Sequence, residues 1–190
     1  MISVGDDAFR SITERDDPSG LAAIVRSQAP TLDRLEVTAA SIFVAVDHVE
    51  KPGNVGSIIR SVDAAGGDGV IVIGDSTDPY HPTAVKASMG TLFHVPVSSV
   101  ENLREMTTWA RSRGMQVVAT SAHAENNYWK FHYRLPTVLL FGNEGTGLGP
   151  AVLAEIESVR IPMSGSATSL NLAVAAGVLL YEVRRQQSQS

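Results

Sequence analysis

Three short stretches of this 190-residue chain carry polar side chains where a binding site needs them. The first is Asn54-Val55-Gly56-Ser57-Ile58-Ile59-Arg60. With Asn54 capping a helix, Val55, Ile58, Ile59 and Val62 share one face, and Gly56, Ser57, Arg60 and Asp63 lie on the other. Arg60 then projects away from the core, from the first turns of a helix whose N-terminus already favours anions. Taken alone, N-x-G-x-x-x-R describes a solvated surface arginine just as well. The second stretch, LLFGNEGTGLGP from Leu139 to Pro150, sets four glycines within eight residues after an apolar run, so its backbone can approach a ligand closely. It lacks the Lys-Ser/Thr of a Walker loop and is not G-x-G-x-x-G in the Rossmann position. Glu144, just beyond the apolar run, can hold a hydroxyl or a cation. The third stretch, Ile161 to Glu182, passes from a strand end through the small polar residues Ser164 to Thr168 into an apolar helix, with Ser169 as the expected N-cap. A bare loop between a strand's carboxyl end and a helix N-terminus is where open α/β sheets bind ligands. Asn171, one turn in, is a buried amide that needs a partner: the loop, a ligand or RNA.

The elements that must position these residues follow a regular alternation. Ile42 to Val46 is a nearly continuous apolar run, as in a strand covered on both faces. A helix is expected from about Asn54 to Ala65, a strand over 69–73, a short helix over 83–89 and a short strand over 93–97. An amphipathic helix over 100–113 ends at Gly114 and is followed by a strand over 116–119. Residues 121–136 are polar and aromatic and read as a surface segment. A strand over 137–141, a helix over 148–155, a strand over 159–163 and the final helix from Leu170 complete the series. This is an α/β domain with a mostly parallel sheet flanked by helices. Apolar residues fall all round the last helix, which is therefore expected to be buried. One sheet face in so small a domain cannot cover it, which points to a homodimer that buries part of this helix and of the helix after Asn54. Leu21 to Val25 is a short apolar run, strand or helical turn. Residues 186–190 are expected to fray as a disordered tail.

Composition narrows the function classes. Lys and Arg number 15 against 20 Asp and Glu, a net charge of −5. Bulk electrostatics therefore do not suit a nucleic-acid grip, and any RNA contact must come from a local patch. Beside Arg60, the candidates are Lys130, His132, Tyr133 and Arg134. The absence of Cys rules out disulfides, zinc–thiolate sites and a Cys nucleophile, and no metal centre is expected. No signal peptide is visible, and the longest apolar run, inside 170–181, is shorter than the roughly 18 residues of a membrane span. A soluble cytoplasmic protein without a membrane partner is expected.

Taken together, N-x-G-x-x-x-R at 54–60, L-L-F-G-N-E-G-x-G-L at 139–148 and I-P-M-x-G-x-x-x-S-L-N-L-A-V-A-A at 161–176 resemble the SpoU (TrmH-like) branch of the SPOUT methyltransferases. The resemblance covers residues 41–185. It implies methylation of a ribose 2′-hydroxyl in ribosomal or transfer RNA, S-adenosylmethionine as cofactor, a C-terminal trefoil knot and an active site completed across a homodimer. Carried over by position, Asn54, Arg60, Glu144, Ser169 and Asn171 match catalytic and RNA-facing residues. Thr120, Gly142, Ile161, Met163 and Leu170 match cofactor-binding residues that act mostly through their backbone. Methyl transfer needs the hydroxyl positioned and its proton eased away. A guanidinium with a pKa above about 12 suits the holding of a phosphate and a developing alkoxide better than the role of base.

Residues 1–40 read as an N-terminal extension. Within it, Ser11 to Arg26 resembles the last segment of the RNA-binding domain that precedes the catalytic domain in many relatives, the rest of which is not seen here. The expectation is a chain that binds cofactor yet methylates RNA poorly by itself. Two other readings stand beside the methyltransferase. A non-catalytic RNA-binding or assembly paralogue is disfavoured by the presence of all five polar motif residues. A nucleotide-binding oxidoreductase is disfavoured because the Gly-rich loop follows a late strand.

Overall fold

The computed structural model describes residues 2–12, 20–24 and 29–188. Among the described residues seven parallel strands form one sheet: β1 (Ile42–Asp47), β2 (Gly69–Ile73), β3 (Val97–Val100), β4 (Gln116–Thr120), β5 (Asn126–Asn127), β6 (Thr137–Phe141) and β7 (Ser158–Arg160). Their spatial order is β3-β2-β1-β6-β4-β7-β5. The strand that carries the Gly-rich loop, β6, is thus inserted between β1 and β4, both earlier in the chain. Parallel register places the carboxyl ends of β1, β6, β4 and β7 along one edge, and the three motifs leave the sheet there.

Helical layers on both faces explain the unbroken apolar runs, since every residue of β2 and β6 is buried. One layer is made by α2 (Pro52–Ala64), α3 (Pro82–Ser88) and α6 (Leu172–Gln187), the other by α4 (Leu103–Ser112) and α5 (Pro150–Glu155). Along β1 the side chains alternate. Ile42, Val44 and Val46 join Ile58, Ile59, Val62, Leu179 and Leu180, whereas Phe43 and Ala45 join Leu32, Leu35, Met106 and Trp109. The Phe43 ring meets Trp109 edge-on at 5.5 Å. An N-terminal helix, α1 (Asp6–Ile12), buries no side chain.

Several sequence expectations are corrected. Helix α2 starts at Pro52 with Lys51 as its N-cap, so Asn54 lies inside the first turn and is 8% exposed. Proline's fixed φ suits that first position. Gly56 does not face solvent: a Cβ there would lie 2.2 Å from the Ala84 carbonyl oxygen, because α2 and α3 cross at this point. The 93–97 strand is displaced. Thr91–Phe93 is a 3-10 turn with Phe93 exposed, and pairing begins only where Val97 meets Val70. Helix α4 starts after Asn102, whose side chain accepts the Glu105 N–H at 3.0 Å, so Val100 belongs to the strand. Helix α5 begins at Pro150 rather than Leu148. The 159–163 strand ends at Arg160, its last residue paired to β5.

Residues 121–136 are more than surface. They add β5 to the sheet edge and pack Phe131 and Tyr133 against the core, with ring centroids 5.1 Å apart. Helix α6 is capped by Asn171 and not by Ser169, which is exposed. Nor is α6 buried all round, since Val174 is 52% and Tyr181 57% exposed. Glu182, on a helix expected to have no polar face, is buried and pairs with Arg185 at 2.7 Å. Gln186 does not fray: its amide donates to the Phe131 carbonyl at 2.9 Å and accepts the Tyr133 N–H at 3.2 Å, which carries the helix to Gln187. Residues 189–190 lie outside the described residues. So do 13–19 and 25–28, and with them most of the segment from Ser11 to Arg26. Leu21 and Ile24 are exposed and in neither strand nor helix among the described residues. No helix among the described residues is long and apolar enough to cross a membrane.

Candidate active site

The three motifs meet through one directional chain of hydrogen bonds. The Asn171 side-chain oxygen accepts the Ala173 N–H at 2.9 Å and so caps α6. That leaves its amide nitrogen to donate to the Asn54 oxygen at 2.9 Å. The Asn54 nitrogen donates in turn to Glu144 Oε1 at 2.8 Å. Glu144 also accepts the backbone N–H groups of Glu50 and Lys51, each at 3.2 Å. The Asn171 amide that sequence alone left unpartnered thus finds Asn54, but of the two only Asn54 is buried. Asn171, expected to be buried, is exposed at the mouth of the loop, where its side chain is held by the helix N-terminus and by Asn54. Both ends of the chain fix its polarity, a helix N-terminus at one and a carboxylate at the other.

Burial works to raise the Glu144 pKa. The hydrogen bond from Asn54, with those from the backbone around 50–51, outweighs it and holds the carboxyl below its ordinary value near 4.5. A carboxyl depressed in the folded state contributes stability above its unfolded value, and this is lost as pH falls through the folded value. The stability difference between wild type and Glu144→Gln is therefore expected to be full above about pH 4.5 and to shrink below it. Melting temperatures of the two proteins across that range check this. A difference that stays constant with pH contradicts it.

The Gly-rich loop is shaped mainly by its own contacts. A Cβ on Gly142 would lie 2.4 Å from the Gly147 carbonyl carbon, because the loop folds back on itself there. The Asn143 side-chain oxygen accepts the Gly145 N–H at 2.8 Å, and its nitrogen donates to the His48 carbonyl at 2.8 Å. Gly147 adopts φ +67°, which only glycine takes without strain.

Beside this chain a cavity of about 780 Å³ opens at the carboxyl ends of β4, β6 and β7. It is lined by Asn54, Thr120, Gly142, Glu144, Ile161, Met163, Ser169, Leu170 and Asn171, which are all the expected site residues except Arg60. Arg60 is exposed on α2 and does not line it. Motif spacing missed Ser121 and His123 after β4, and the apolar wall of Leu148 and Leu153. A position just past a parallel strand marks the first pair; the second pair reads simply as helix and core. The volume suits a nucleoside-sized ligand, with small residues and free backbone on one side and aliphatic side chains on the other. These residues fit S-adenosylmethionine: Leu148 and Leu153 offer an apolar surface, and the Gly- and Ser-rich loops offer backbone groups for polar contacts. Among the described residues no three His, Asp or Glu side chains cluster as metal ligands.

Comparison with known proteins agrees with this geometry. The profile of the SpoU rRNA Methylase family matches residues 41–181. The 23S rRNA (uridine(2479)-2′-O)-methyltransferase of Streptomyces viridochromogenes is 38% identical over 194 residues, covering 98% of this chain and 68% of that protein. A putative TrmH family tRNA/rRNA methyltransferase of Bacillus subtilis is 37% identical, covering 77% of this chain and 59% of its own length. The chain thus spans about three fifths to two thirds of these two relatives. The crystal structure of the SpoU methyltransferase AviRb from Streptomyces viridochromogenes with AdoMet superposes with a TM-score of 0.92 at 37% identity, covering 100% of this chain and 74% of that one.

Proposed function

The chain belongs to the SpoU rRNA methylase family, and we propose that it transfers a methyl group from S-adenosylmethionine to a ribose 2′-hydroxyl of ribosomal or transfer RNA. The observation that carries this reading is the convergence of three separate motifs on one cavity of nucleoside size. When bound, S-adenosylmethionine supplies an electrophilic methyl carbon for in-line displacement by an oxygen. The backbone of Gly142, Ile161, Met163 and Leu170, together with Thr120, would hold the cofactor in this cavity. Asn171, Asn54 and Glu144 lock the cofactor loops to α2, so that the reacting groups meet a rigid wall. Ser169, exposed at the rim, orients the incoming hydroxyl. Arg60 holds the neighbouring phosphate and stabilises the developing alkoxide.

A trefoil knot in the C-terminal segment belongs to the same proposal, supported by the insertion of β6 between two earlier strands. So does a homodimer. Its support is the apolar stripe of Leu170, Val174 and Tyr181, 39%, 52% and 57% exposed, on and just before α6. Tyr181 reaches the end of α2, its hydroxyl 3.4 Å from the Ala64 carbonyl, so a partner on this stripe also meets α2. Cytoplasmic location follows from ribosomal or transfer RNA as substrate.

The test is methyl incorporation from labelled S-adenosylmethionine into ribosomal and transfer RNA, followed by mass-spectrometric identification of the modified nucleoside. A ribose 2′-O-methyl nucleoside is expected. Cofactor binding without any RNA methylation would support the non-catalytic paralogue instead.

A further inference from the structure

At the opposite end of the sheet, the segment entering β6 forms a second hollow that the methyl-transfer site does not use. The sequence WKFHYRL from Trp129 to Leu135 alternates: Phe131 and Tyr133 pack inward, while Lys130, His132 and Arg134 are exposed. Residues 128–130 form a turn closed by the Lys130 N–H on the Asn127 carbonyl at 3.0 Å, and the chain then runs irregularly to β6, with Lys130, His132 and Arg134 all turned to solvent. The segment is held on both sides. Gln186 of α6 makes the two hydrogen bonds to Phe131 and Tyr133 described above, and the Gln116 side chain accepts the Arg134 N–H at 2.7 Å. Trp129 is 47% exposed, its ring set against Tyr128 at 5.0 Å. The hollow measures about 580 Å³, and none of the residues lining it is acidic. In a chain of net charge −5, such a collection of cations runs against the average. Among the described residues the ion pairs are His48–Asp47 and Arg185–Glu182, so these basic side chains face solvent uncompensated.

We propose that this hollow docks a single-stranded segment of the RNA substrate, with phosphates on Lys130 and Arg134 and a base stacked on Trp129. That RNA is the polyanion rests on the methyltransferase reading. An exposed indole edged by cations is the arrangement by which proteins hold single strands without reading their sequence. Because strands in the sheet are parallel, the hollow lies about one strand length, roughly 17 Å, from the cofactor cavity. It anchors RNA at a distance from the methylated ribose and supplies contacts that the acidic remainder of the chain lacks.

The experiment measures binding of a fluorescein-labelled oligouridylate of about a dozen nucleotides by anisotropy as a function of salt, with calorimetric S-adenosylmethionine binding on the same samples. A Lys130→Ala/Arg134→Ala protein is expected to bind the oligonucleotide at least about tenfold more weakly. Its log–log salt slope should be shallower by about 1.4, two contacts at roughly 0.7 each for a single strand. Trp129→Ala is expected to weaken binding about tenfold and to remove the RNA-induced tryptophan quench, while Trp129→Phe restores affinity. Cofactor affinity stays at the wild-type value in all three. Wild-type RNA affinity in both alanine proteins would overturn the proposal, as would displacement of the oligonucleotide by polyglutamate as readily as by unlabelled oligouridylate. Loss of RNA binding in the variants of a chain that binds no S-adenosylmethionine would uphold the docking site and overturn the enzymatic reading.

Discussion

Arg60→Ala is expected to lower RNA methylation by at least about a hundredfold and leave S-adenosylmethionine affinity unchanged. Arg60 lies six residues beyond Asn54, roughly 9 Å along α2, and outside the cavity. It cannot contribute to cofactor binding there, and its effect must fall on the RNA phosphate and the alkoxide. Arg60→Lys keeps the charge and loses the planar fork, so partial recovery is expected. A shared active site makes a further expectation quantitative. Arg60→Ala and the cavity variant Gly142→Val, which leaves the exposed stripe on α6 untouched, are each expected to be inactive alone. After random subunit exchange half the dimers are mixed, and each mixed dimer carries one intact site, which returns about a quarter of wild-type activity. No recovery on mixing, with exchange verified by mass, would place Arg60 and the cavity of one chain in the same site. Sedimentation of wild type should give a dimer mass.

Gly56→Ala is expected to cost about 3 kcal/mol or more, a large share of the roughly 5–15 kcal/mol available to a domain. The added carbon would sit 2.2 Å from the Ala84 carbonyl oxygen and 2.8 Å from the Ala87 Cβ. Backbone cannot yield as a flexible side chain does, so α2 and α3 must part. Gly53→Ala, in the same helix, provides the contrast: its nearest neighbour is Thr83 Cγ2 at 3.9 Å. That change should be neutral or raise stability by about 0.5–1 kcal/mol. In thermal unfolding, the Gly56 variant should melt about 6–12 °C below wild type and the Gly53 variant at or above it. A similar small change in both would mean that the helix crossing relaxes readily. The glycine of the N-x-G-x-x-x-R motif is thus explained by packing, and it sets the angle at which α2 carries Asn54 to the site.

Sequence alone determined the class of fold and the location of the site on it. Unbroken apolar runs at 42–46, 69–73 and 137–141 require a sheet covered on both faces, and Gly- or Ser-rich residues just past such runs mark the edge where ligands bind. Those signals are local in the chain, and burial writes them directly into residue type. What pairs with what was decided only by the tertiary structure. Asn171 was legible as an amide needing a partner, although it is exposed and not buried. That Asn54 accepts its N–H and donates one to Glu144 depends on β6 lying between β1 and β4, a topology no local pattern encodes. The same holds for the caps, because Asn171 rather than Ser169 closes α6 once it is held from both sides. The exposed stripe on α6 looked in sequence like buried core, since hydrophobicity records that a surface must be covered and not which surface covers it. The basic residues at 130–134 were legible as a local patch, but that Tyr133 is buried and that the segment borders a hollow is decided only where Gln186, distant in sequence, holds it against α6.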